Sequence, residues 1–195
     1  SDLRILLDSG GPQQLIDIPL GPQMGQCCGG RVRVAMEPAA AAHLEALRQA
    51  EAKAAAERPQ VLIFGAGHTG KALARSLVLL PVAVTLIDDR PSQFDEVPAA
   101  TTCLQLDDPE IALASARPGS AFVVLTHSHA LDYRLAEAAL LRGDAAYVGM
   151  IGSATKRARF EASFRRRRPG STALTGLTCP IGRPDVPDKR PEVIA

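Results

Sequence analysis

The sequence predicts an α/β fold: a parallel sheet with helices on both faces, preceded by a small β-rich N-terminal piece. Two observations carry this. From Gln60 onward, apolar runs of strand length alternate with helical segments, and "QVLIFGAG" and "PVAVTLIDD" have the continuous apolar character of strands buried on both faces. Before residue 38 the chain instead alternates short apolar runs with Gly and Pro, as in "LIDIPLGP" and "RVRVAME". Those runs suit strands in a piece too small to hold a core alone.

The elements follow in order. Residues 1–38 form the β-rich piece. Residues 39–59 form a linking helix within "PAAAAHLEALRQAEAKAAAERP", where Leu44 and Leu47 give only a narrow apolar stripe, so a surface position is expected. Residues 60–195 form the α/β domain. After "QVLIFGAG" come the helix "TGKALARSLVLL", the strand "PVAVTLIDD", the weaker strand "TTCLQL" and the short helix "DPEIALASA". Then follow the strand "SAFVVLTHS", the helix "ALDYRLAEAALLRG" closed by Gly143, the strand "AAYVGMIG", and the helix "SATKRARFEASFRRRR" that Ser153 caps. The segment "LTCPIGRP" reads as an extended loop. The chain begins without Met and stops at "PEVIA", where Pro191 and Glu192 read as the first turn of a helix, so flanking sequence is expected.

Composition excludes several classes of function. A net charge of +1 gives no general attraction to nucleic acid or anionic lipid, and 4% aromatics without Trp leave little to stack on bases. No window has the length of an apolar membrane span, and no signal peptide opens the chain. Four cysteines, two of them adjacent, do not make a secreted disulfide framework. A cytoplasmic protein with reduced thiols is expected.

The sharpest motif is "VLIFGAGHTGKALARSL". Gly65, Gly67 and Gly70 form G-x-G-x-x-G between a strand and a helix, with His68 inside the turn, and Asp88 ends the next strand. This is a Rossmann fingerprint: glycines allow the tight turn and close approach of a phosphate to the helix N-terminus. Asp88 is placed to hold a ribose diol, and Arg90 to meet a 2′-phosphate. A second cluster, "THSHALDY", puts His127 and His129 after a central strand, with Asp132 on the first helical turn. Such groups suit proton donation or metal ligation, or a plain polar loop. Third, Gly149, Gly152 and Ser153 repeat the glycine-then-helix pattern, with Lys156 and Arg157 one turn along, as a second anion cradle. The run Arg165–Arg168 complements a helix C-terminus, and Cys103 reads as a small buried hydrophobe.

The stretch "GQCCGG" is the least ordinary. Cys27 and Cys28 cannot wrap a zinc ion, because no C-x-x-C exists, and a vicinal disulfide would cross-link almost no chain. Packing is one reading of the pair; glycine-flanked thiolates meeting a ligand is the other.

Taken in order, "LGPQMGQCCGGRV", "FGAGHTGKAL", "LTHSHALDYRLAEAAL", "YVGMIGSATKRARF" and "LTCPIGRP" resemble the xanthine dehydrogenase accessory factor family, XdhC/CoxI, from about Ile18 to Ala195. The resemblance implies a small N-terminal domain followed by a Rossmann domain. It also implies a non-enzymatic role: binding the molybdenum cofactor (molybdopterin), holding it while a cysteine desulfurase sulfurates it, and delivering it to an apo-xanthine dehydrogenase or related hydroxylase. A homodimer is expected. The family's motifs map to Gln26, Cys27, Cys28, Gly65, Gly67, Gly70, His127, His129 and Cys179; separately, because thiolates are soft metal ligands, Cys27 or Cys28 is expected as the thiolate at molybdenum. The competing expectation is an NAD(P)-dependent oxidoreductase, whose proton donor only the His127–His129 loop supplies. A redox regulator built on Cys27 and Cys28 is a third.

Overall fold

The computed structural model describes residues 13–21, 25, 29–182, 185–188 and 190–195. The chain divides into two compact units, Ser1–Ala56 and Glu57–Ala195. In the first, β1 (Gln14–Pro19) pairs antiparallel with β2 (Arg31–Met36), in a register running from Gln14 opposite Met36 to Pro19 opposite Arg31. Helix α1 (Ala41–Glu57) follows. As its narrow apolar stripe predicts, none of its residues is buried, and Leu44 and Leu47 are exposed.

The second unit holds a six-stranded, all-parallel sheet in the order β5-β4-β3-β6-β7-β8. Its elements are β3 (Gln60–Phe64), α2 (His68–Leu77), β4 (Ala83–Asp88), β5 (Thr102–Gln105), α3 (Glu110–Ser115), β6 (Ala121–Val124), α4 (His129–Arg142), β7 (Tyr147–Met150), α5 (Ala154–Arg167), β8 (Leu177–Thr178) and α6 (Pro191–Ile194). Counting from β3, this is the doubly wound order 3-2-1-4-5-6. The fold is Rossmann-like.

Strand alternation sorts the core into two faces. Leu62 and Phe64 point to one, where Phe122 joins Leu135 and Ala139 of α4 and Phe160 and Phe164 of α5. Val61 and Ile63 point to the other, against Ala74 of α2 with Val84 and Leu86 of β4. Each fully buried Phe or Leu contributes roughly 1.5–3 kcal/mol, so these faces dominate the unit's stability. Gly143 closes α4 with φ 71°, a conformation that favours glycine, and Ser153 caps α5 through Lys156 N–H, both as expected. Ser128 caps α4 through Leu131 N–H.

Two expectations are corrected. Leu177–Thr178, read as loop, is the sixth strand, pairing with Val148 and Gly149; two residues are too few to show a strand pattern. Cys103 is exposed, not buried, because among the described residues β5 is an edge strand paired with β4 alone.

Candidate functional site

The strand order reverses between β3 and β6, and their carboxyl ends open a crevice there. Phe64, Gly65, Asp88, Thr126 and His127 line it, as a narrow cleft of about 30 Å³ that opens to solvent.

The three glycines of the fingerprint do different things. Gly65 has φ 113°, and a Cβ there would lie 2.3 Å from the Leu125 carbonyl oxygen. A Cβ on Gly70 would lie 2.0 Å from the Gly65 carbonyl oxygen. Both glycines are therefore required by the packing of turn, helix and β6. Gly67 is not. Its backbone is extended (φ −70°, ψ −173°), open to any residue, and a Cβ there would meet nothing within 4 Å. Gly67 is also the N-cap of α2, and no side chain caps that helix. Open space thus adjoins the start of α2, where the dipole's positive end lies, with the exposed His68 next to it.

Asp88 is placed at the end of β4 as expected, but its carboxylate is already engaged. It accepts from Ala66 N–H at 2.8 Å, from Arg90 N–H at 3.0 Å, and from Arg90 Nε and Nη2 at 2.9 and 3.0 Å. Burial alone would raise its pKa. The Arg90 guanidinium and the two backbone donors outweigh that and hold the carboxyl well below the usual carboxylate range.

The second glycine turn is filled from within. A Cβ on Gly149 would strike the Tyr147 ring at 2.5 Å, and one on Gly152 would strike Lys156 Cδ at 2.5 Å. Because Gly152 leaves that space, the Lys156 stem folds inward instead of facing an anion with Arg157. Its Nζ donates to Asp132 at 2.5 Å and to the Ile151 carbonyl at 2.8 Å. Asp132, 1% exposed, also accepts from Thr126 N–H at 2.9 Å and Thr126 Oγ1 at 2.8 Å. This buried ion pair joins the loop after β6 to the turn after β7. Sequence reading noted both residues but not their pairing, which links positions 24 apart and has no local signal.

The remaining residues scatter. His127 lines the crevice, whereas His129 is exposed on the first turn of α4 and is not part of the lining. Cys179 lies after β8, two strands beyond β6, and is buried. Burial pushes its thiol pKa up, and the nearby Lys156 and Arg157 charges only partly counter that. Gln26, Cys27 and Cys28 lie outside the described residues. Among the described residues, no group of three or more His, Cys, Asp or Glu could hold a metal, and no helix is long and apolar enough to cross a membrane. The basic run on α5 does more than complement its dipole, since Arg167 and Arg168 both pair with Glu137 of α4.

The second unit is thus a Rossmann-like domain with a glycine turn, an engaged Asp88 and a cleft at the strand-order reversal, a fold that by itself does not settle function. The chain belongs to the XdhC family: the XdhC Rossmann domain matches residues 61–195. Among solved structures, it superposes on a xanthine dehydrogenase from Bacillus halodurans with a TM-score of 0.70 at 17% identity, covering 99% of this chain and 76% of that one. At that identity the likeness is one of fold. A putative oxidoreductase from Magnetospirillum magnetotacticum MS-1 aligns with a TM-score of 0.40 at 19% identity, over 56% of this chain and 36% of that one. No curated protein matches the chain.

Proposed function

We propose that this protein is an accessory factor that binds the molybdenum cofactor as cargo, holds it during sulfuration by a cysteine desulfurase, and delivers it to a xanthine dehydrogenase-type hydroxylase, with no turnover of its own. Membership of the XdhC family supports the accessory role. One structural observation carries the binding role. Gly67 sits at an uncapped helix start beside open space, which fits the terminal phosphate of a pterin cofactor. Thr126 and His127, at the mouth of the cleft beside it, are the side chains proposed to meet the cargo next to its phosphate. Cys27 and Cys28 are the proposed soft donors toward molybdenum, because thiolates suit a soft metal and sulfur exchange. The oxidoreductase reading is disfavoured by Asp88, whose oxygens already have their donors and leave no acceptor for a ribose diol.

The test is the ligand retained by the full chain when purified from cells that make the cofactor, read by mass spectrometry and molybdenum content. Stoichiometric molybdopterin without nicotinamide is the expected result. Tight NAD(P)H binding with substrate-dependent reduction would reverse the assignment.

A further inference from the structure

We infer that Arg90 is a specificity gate: it closes Asp88 against a vicinal diol, so that the crevice refuses ribose and takes its ligand through phosphate. This rests on the reading of the crevice as a ligand site. In doubly wound sheets with this glycine turn, the acid ending the second strand receives the ribose hydroxyls of a dinucleotide. Asp88 stands at that position and lines the crevice beside Gly65. An ionised carboxylate offers about four acceptor sites. In Asp88 four N–H donors meet them: Ala66 N, Arg90 N, Arg90 Nε and Arg90 Nη2.

Three of those donors come from one residue, and two of the three from a guanidinium in fork geometry. Charge-assisted, two-pronged bonds of this kind are about twice as strong as neutral ones. A ribose would exchange them for ordinary hydroxyl bonds. The acid is buried while its partner is not: the Asp88 side chain is 2% exposed and that of Arg90 40%. A second carboxylate reinforces the closure: Asp89 lies 3.6 Å from Arg90 Nε, so Arg90 is held by two neighbouring negative charges. The local sequence builds the device unaided, since Arg90 N–H bonding to Asp88 Oδ1 is the two-residue turn that Asp side chains favour.

The experiment uses the full chain, purified from cells that do not make molybdopterin, with ADP, 2′-deoxy-ADP and adenosine 2′,5′-bisphosphate as probes in calorimetric titration. Arg90→Ala should bind ADP about ten- to a hundredfold more tightly than the parent, the range expected for hydrogen bonds to a charged group. That gain should vanish with 2′-deoxy-ADP and in Asp88→Asn/Arg90→Ala. Arg90→Gln, which keeps more of the side-chain volume, should show the same gain if Arg90→Ala does not fold. Equal ADP binding by parent and folded variant overturns the gate, as does a gain that 2′-deoxy-ADP shares. Tighter binding of the 2′-phosphorylated probe by the parent, lost in the variant, also overturns it, because Arg90 would then recruit the ligand. Molybdopterin retention by the same variants is measured separately. Its loss from parent and variants alike would remove the cargo assignment and leave the ADP titrations to decide the gate.

Discussion

The turn Gly65–Gly70 and the turn Gly149–Ser153 are written in similar residues, follow parallel strands, and lead into helices. They end in opposite states. At Gly149–Ser153 every vacancy is filled from within: the Tyr147 ring takes the space beside Gly149, the Lys156 stem takes that beside Gly152, and Ser153 Oγ satisfies Lys156 N–H. At Gly65–Gly70 the outer glycines pack against backbone, but Gly67 faces open space and no side chain caps the helix. Glycine before a helix therefore does not by itself make an anion site. What matters is whether the protein supplies its own partner for the vacated space and the free N–H groups.

The largest effect should come from breaking the self-satisfied turn. Lys156→Met leaves the Asp132 carboxylate buried with only its Thr126 donors. Removing one partner of a buried ion pair costs about 3–5 kcal/mol. Urea unfolding should show that loss, while Asp132→Asn/Lys156→Met should recover most of it because no charge is then left unpaired. A single-variant loss below about 1 kcal/mol would give the pair no more weight than a surface one and would remove it as the anchor of this turn.

A smaller loss is expected from Gly70→Ala. The new methyl would lie 2.0 Å from the Gly65 carbonyl oxygen and 3.1 Å from Leu125 Cδ1, so backbone must move. Overpacking of this kind costs about 1–3 kcal/mol. Denaturation should register it with no ligand present. A variant as stable as the parent would mean the turn yields more readily than its contacts suggest.

Much of this was legible in the sequence, and the exceptions have physical reasons. Continuous apolar runs placed β3 and β4, and Gly143 and Ser153 marked helix ends, because those signals are local. The exposure of Cys103 depends on how many neighbours β5 acquires, which no property of "TTCLQL" states. The inward turn of Lys156 depends on Asp132, 24 residues earlier on another helix. The engagement of Asp88 by Arg90 is different. It is local, two residues apart, and could have been read as an Asx-type turn rather than as two independent ligand contacts.

The sharpest test is the one with the smallest effect on stability. Gly67→Val introduces a side chain where a Cβ meets nothing within 4 Å, on backbone whose φ of −70° strains no residue. Valine is a poor N-cap, but this N-cap already lacks a side-chain bond, so a loss of about 0.5–1 kcal/mol is expected, below that of Gly70→Ala. The space it fills is the approach to the first N–H groups of α2. A phosphate seated there loses both its close contact with backbone and part of the helix-dipole attraction. Molybdopterin retention should fall about tenfold or more, which is roughly 1.4 kcal/mol of binding. Gly70→Ala provides the contrast, with greater loss of stability and a loss of retention no larger than that instability explains. If Gly67→Val retains its cargo normally, the open glycine turn is not the cradle and the difference between the two turns has no bearing on binding. If both variants lose cargo in proportion to their loss of stability, the retention assay is following folding, and the cradle must be sought away from α2.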